Sequence, residues 1–292
     1  MLERLPGLRQ RLSEATNSPA VFTWFLRMDP QVATTWGSAG WVVEHYERAV
    51  AELVDAGDEL ALHSHTWRWD ESSNAWVAEF ADPAWEEHCV GLGLESFRAT
   101  LGRDCGAHRG GDHFLSATML ACLEAAGVRV DLTVEPGLSM PSLAADEQVH
   151  GVLPDYRRVP ATPYRSSRAR FPEPDPDAQT GTLLVPLLSA PGRWPPLRRT
   201  PVSLASPGTS FVPALGAALL RRPPVVALAV RSHVALFPAW SLFERNVVRL
   251  AQRRGVFFTT ASAACELLED RLDQPASSPP PSSAGSARGP SG

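Results

Sequence analysis

A parallel α/β barrel is the fold class that the sequence predicts, on three observations. Short apolar segments rich in β-branched and aromatic residues alternate with helix-period segments along the chain, seven strands in all. The punctuation between them is that of helix ends, with Asp82-Pro83 as a start and Gly57, Gly102, Gly127 and Gly255 as stops. Titratable residues gather where the strand-like segments end, which is where α/β folds keep their sites. A doubly wound open sheet shares this order of elements and is the alternative.

Residues 20–26 (AVFTWFL) read as a buried first strand. Residues 41–56 have helical periodicity and stop at Gly57, and residues 60–63 make the second strand. A helix over 83–101 follows, then a short third strand at 105–109, a helix over 116–126 and a fourth strand at 128–134. Periodicity fades from 135 to 181, where Pro and Arg are frequent. Residues 182–187 (TLLVPL) are a fifth strand, with Pro186 near an edge or an end, and residues 225–230 a sixth. A helix over 241–254, a seventh strand at 256–259 and a last helix over 261–272 complete the pattern. Residues 1–272 are thus expected to form one barrel domain. Residues 273–292, rich in Pro, Ser and Gly, are expected to form a disordered tail.

Composition narrows the chemistry. All 27 basic residues among the 292 are Arg, and no Lys is present. That excludes Schiff-base and pyridoxal-phosphate enzymes, the Walker-A loop and the Ser-x-x-Lys hydrolases. A formal net charge of −5 argues against a dedicated nucleic-acid binder. No apolar run reaches the roughly 18 residues of a membrane span. Residues 1–19 lack the apolar segment of a signal peptide, which reads as a cytoplasmic protein without a membrane partner. Four Cys without a Cys-x-x-Cys pair fit reduced thiols. Charge is uneven, with 10 Arg against 23 acids in residues 1–150 and 17 Arg against 9 acids thereafter.

The strand ends carry the candidate site. Asp29 follows the first strand, His63-Ser64-His65 ends the second, His108 to Asp112 ends the third, Asp131 lies in the fourth, and His233 follows the sixth. His63 and His65 lie two apart, so in extended backbone both rings leave one face. Two imidazoles and a carboxylate make a facial set that leaves positions open for water and substrate. The competing reading is a hydrogen-bonded strand end with Asp29 as a turn-former before Pro30. Seven of the nine Trp fall in the first 85 residues. Trp36, Trp67 and Trp69 are candidates for stacking on a sugar ring or an apolar substrate, or for sealing the barrel top, and Tyr164 for lining the pocket or lying in a solvated loop.

Residues 57–64 (GDELALHS) resemble the "gly-x-glu-ile-x-x-his-ser/thr" segment of the polysaccharide deacetylase (NodB-homology) superfamily. Residues 23–29, Arg109-Gly110-Gly111, 120–131 (LACLEAAGVRVD), 230–233 and 254–258 take the places of its other motifs, in order. The resemblance implies an irregular (β/α)7 barrel with a divalent metal, usually zinc, that hydrolyses N-acetyl groups of amino sugars. It makes Asp29 and His63 metal ligands, Arg109 the residue that orients the site's carboxylates, and His233 the general acid for the leaving amine. The substrate is then a saccharide or a small sugar-like molecule.

Three departures stand out. Met28 takes the first place of the family's tandem Asp pair, so the base role falls to Asp112, Asp131 or the ion alone. Trp67 occupies the place of the second metal His, and His65 would substitute. Gly110 and Gly111 follow Arg109 without the expected Pro. A catalytically lapsed barrel, kept to bind carbohydrate or as a scaffold, is the competing functional class. A glycosidase with paired carboxylates is a third reading, but Asp29, Asp112 and Asp131 form no recognisable pair by spacing.

Overall fold

The computed structural model describes residues 2–138, 149–191, 199–205, 208–220, 223–231 and 239–272. Its centre is a parallel sheet of five strands in the order β1 (Thr23–Arg27), β2 (Glu59–Ser64), β5 (Ala107–Gly110), β6 (Val130–Asp131) and β8 (Leu183–Leu184). The remaining strands are β3 (Trp67–Asp70), β4 (Ala75–Phe80), β7 (Val149–Gly151), β9 (Ser189–Pro191) and β10 (Arg199–Pro201). The helices are α1 (Leu5–Thr16), α2 (Pro30–Trp36), α3 (Trp41–His45), α4 (Glu47–Asp55), α5 (Pro83–Leu101), α6 (Ala117–Ala125), α7 (Gly208–Leu219), α8 (Ala239–Ala251) and α9 (Ala261–Leu272).

The predicted parallel α/β architecture is present, with its five ladder strands in sequence order. Beyond β8 the order continues without a named strand. Leu187 bridges Ala227 in parallel, and Leu188 N–H donates to the Ala227 carbonyl. Residues 256–259 form no strand. The chain there returns to β1, where Phe258 meets the Phe22 ring edge-on and Ala261 N–H donates to Thr23 Oγ1. No helix among the described residues is long and apolar enough to cross a membrane.

Register assigns His63, Arg109, His108 and Asp131 to faces. His63 pairs with Arg109, while Leu62 pairs with His108 and His108 with Asp131. In parallel strands paired residues project to the same side and neighbours alternate. Ala61, Ala107, Val130 and Leu183 therefore share the His63 face, where they pack with Cys265 and Leu268 of α9. Leu60 and Leu62 face the other way, against Val90 and Phe97 of α5 and Leu120 and Leu123 of α6. Gly93 lets α5 approach, since a Cβ there would stand 2.8 Å from the Met28 carbonyl.

Helix ends follow the predicted chemistry. Asp82 accepts from Ala84 and Trp85 N–H at the start of α5, whereas Ser116, read from the sequence as the first helical residue, instead caps α6 by accepting from Met119 N–H. Gly57, Gly102, Gly127 and Gly255 all have positive φ. The predicted helix over 41–56 divides at Tyr46, where Trp41, His45 and Tyr46 pack ring against ring. Two units have no counterpart in the sequence reading. One is α1, which buries Leu5, Leu8 and Leu12 and is pinned by Arg9 gripping the buried Asp58 at 2.6 and 2.8 Å. The other is the β3–β4 hairpin with β7 beside it, which carries Trp67, Trp69 and Trp76 on its strands.

Candidate functional site

The end of β2 lays His63 and His65 side by side, with ring centroids 4.8 Å apart at 82° and the two Nε2 atoms 3.1 Å apart. The opposite nitrogen of each ring is anchored. His63 Nδ1 lies 2.6 Å from the Arg109 carbonyl and His65 Nδ1 lies 2.8 Å from Asp112 Oδ2. A carbonyl and an ionised carboxylate only accept, so both Nδ1 atoms carry the proton in the neutral rings. With both rings in that neutral form, the two Nε2 lone pairs face each other across 3.1 Å; a proton on His65 Nε2 would make it the donor to His63. Burial, with the neighbouring His65, pushes the His63 pKa down to about 3, so His63 is neutral under ordinary conditions.

Asp112 holds this arrangement from below. Burial alone would raise its pKa, but the hydrogen bonds from His65 and Trp67 Nε1 hold it down to about 2. Asp112 and His113 follow β5 with φ of 49° and 60° in succession. Left-handed backbone at two adjacent non-glycine residues is uncommon and gathers at functional sites. Gly111 completes the turn, because a Cβ there would collide with the His65 ring.

Asp29 is close by and otherwise engaged. It caps α2, with Oδ1 accepting from Val32 N–H at 3.1 Å, and Oδ2 accepts from Arg27 Nε at 2.6 Å and His65 N–H at 3.3 Å. Both readings of this residue thus hold in part: it forms the turn before Pro30, and it borders the histidine pair. Among the described residues no group of three or more His, Cys, Asp or Glu comes together to hold a metal ion. His63 and His65 fit an ion by donor chemistry and by their anchored Nδ1 atoms, whereas the Asp29 carboxylate faces the Arg27 guanidinium.

The other predicted residues divide cleanly. Arg109 shares the His63 face, with Nη2 3.4 Å from Glu135 and its Nε without a hydrogen-bond partner. His113 Nδ1 lies 2.8 Å from the same Glu135 oxygen, but not in hydrogen-bond geometry. Asp131 is not brought to this site. It projects from the opposite face, fully buried, and accepts from His108, Thr133 N–H and Thr133 Oγ1 at 2.7, 2.8 and 2.9 Å. His108 Nε2 in turn lies 2.8 Å from Ser64 Oγ, so this chain is a closed internal network. Tyr164 does not line an open pocket. It is buried, bridges Leu184, and donates its hydroxyl to the Pro172 carbonyl. Trp36 is 56% exposed and stacked on Trp41, and Trp69 is 38% exposed against Trp76. His233 lies outside the described residues. Arg27 and Glu135 escaped the sequence reading. The one available signal was Arg27 two residues before Asp29, on the same strand face as its end.

No family model matches the chain, and no curated protein matches it by sequence. Among solved structures it is similar to the crystal structure of a provisionally assigned polysaccharide deacetylase from Mycobacterium smegmatis. That likeness has a TM-score of 0.52 at 13% identity, over 95% of this chain and 80% of the other. It shows a shared fold.

Proposed function

We propose that the chain is a metal-dependent amide hydrolase that removes an N-acyl group, N-acetyl foremost, from an amino sugar or a sugar-like metabolite. The observation that carries this is the histidine pair, with both Nδ1 atoms anchored and both Nε2 atoms converging to 3.1 Å. Facing lone pairs need a proton or a cation between them. Backing of each Nδ1 by an acceptor is the arrangement that fixes tautomer and orientation in ligating imidazoles. The fold shared with a provisionally assigned deacetylase supports the same class.

His63 and His65 would hold the ion, zinc by its preference for nitrogen donors, with Asp29 as third donor in exchange for Arg27. When bound, such an ion supplies a Lewis acid for the acyl carbonyl. The chain's own residues do the rest. Asp112 and the Arg109 carbonyl keep both rings in one tautomer. The unpartnered Arg109 Nε offers a donor to a carboxylate or to the acyl oxygen. Exposed Trp36 and Trp69 offer faces to a sugar ring. His233 is assigned the protonation of the departing amine. A cytoplasmic location and a soluble substrate belong to the same proposal.

Two observations favour the lapsed-barrel reading. Arg27 already neutralises Asp29, and a fully buried Met28 stands in the place of the expected base. Elemental analysis of protein purified with zinc supplementation, paired with amine release from N-acetylated amino sugars, separates the two. The hydrolase reading expects about one ion per wild-type chain and retention in Trp67→Phe. His65→Ala should be folded, inactive and nearly metal-free, because a lost ligand exceeds the roughly 10- to 100-fold cost of a changed supporting contact. Wild-type protein with no divalent metal would sink it.

A further inference from the structure

A cleft of about 640 Å³ lies between α7 and α8, lined by Gly208, Phe211, Val212, Leu215, Arg245, Arg249 and Arg253. The three arginines recur every fourth residue, so they form one stripe along α8 and its C-terminal extension. That stripe spans about 12 Å at 1.5 Å per residue. Among the described residues no acid lines the cleft, and none of the three guanidinium groups has a carboxylate partner. The neighbouring Glu244 is committed to Arg11 of α1. Like charges four apart on a helix repel, and this stripe lacks the interleaved acids that normally offset the repulsion. The opposite wall is apolar, with Val212 of α7 left 41% exposed. Gly208 gives Arg249 room to lie across it, since a Cβ there would stand 2.5 Å from the Arg249 Nη1 atom.

We propose that this cleft binds an anionic amphiphile, a diphosphate or phosphate ester joined to an apolar body. Planar guanidinium forks match phosphate oxygens two at a time. The spacing of about 6 Å between successive arginines suits a group carrying several charged oxygens better than a single carboxylate. The apolar wall takes the body of the ligand, and the volume falls within the range of small-molecule sites. The proposal stands apart from the histidine pair and does not depend on it.

Isothermal titration of the full chain, in chelator and at physiological ionic strength, tests it with geranyl diphosphate and inorganic pyrophosphate as probes. Geranyl diphosphate should bind roughly tenfold or more tightly than pyrophosphate, since the prenyl chain buries apolar surface. The triple variant R245Q/R249Q/R253Q should weaken geranyl diphosphate roughly 100-fold or more, with three charge-assisted contacts removed. The triple variant R157Q/R168Q/R170Q changes net charge equally and should bind as wild type does. Val212→Asp, which keeps every arginine, should also weaken binding and serves if the first triple variant does not fold. Equal loss in the two triple variants would mean bulk charge alone and would overturn the site. No binding of either probe at millimolar concentration would overturn it as well, and equal affinity for both probes would remove the apolar wall from the proposal.

Discussion

Acidification should destabilise this protein through His63 in a way that can be isolated. The His63 pKa is pushed from 6.5 down to about 3 by burial and by His65. Below pH 6.5 the unfolded chain takes up a proton at this residue that the folded chain refuses. The unfolded state then binds more protons, so stability falls as pH falls and is fully present only above about 6.5. Each pH unit between the two values is worth about 1.4 kcal/mol. From about pH 7.5 to about pH 5 the loss assigned to His63 is about 2 kcal/mol, growing toward about 5 kcal/mol near pH 3. Urea unfolding at the two pH values, in chelator to keep metals away, measures it in wild type and His63→Gln. Glutamine keeps an N–H that can reach the Arg109 carbonyl, and contributions from groups not in contact with His63 cancel in the difference. Wild type should lose about 2 kcal/mol more than the variant between the two conditions. Parallel pH dependence in the two proteins would refute the claim that His63 is held neutral by its surroundings.

Two further outcomes follow from particular contacts. Asp58 is buried and accepts from both Arg9 Nη atoms, Phe22 N–H and Trp24 Nε1. Asp58→Asn strands the Arg9 charge and should cost about 3–5 kcal/mol in chemical denaturation, and a loss under about 1 kcal/mol would show that α1 is not held by this pair. Gly111→Ala drives a methyl against the His65 ring. It should lower stability by about 1–3 kcal/mol and weaken zinc binding by calorimetry, while unchanged zinc affinity would show that the ring has free room.

Local chemistry made much of the architecture legible. The cap at Asp82 and the glycine stops needed only neighbouring residues, and α9 begins and ends where its periodicity says. Period-two alternation placed His63 and His65 on one face before any strand pairing was known. α1 stayed hidden because the Arg9 contact that fixes it reaches 49 residues along the chain, and the hairpin because its third strand comes from residues 149–151.

What the sequence by itself determined is the alternation of strands and helices, the absence of Lys chemistry and the paired histidines. The tertiary structure alone decided which titratable groups meet. Register is set by pairing between distant strands, and a shift of one residue moves a side chain to the other face. That is why Asp131 joins His108 and Ser64 inside the core while Asp112, thrown back by a left-handed turn, supports His65. Arg27 and Asp29 share a strand face by their spacing, but whether a carboxylate there is free or paired depends on where the long Arg side chain comes to rest, which the packed structure decides.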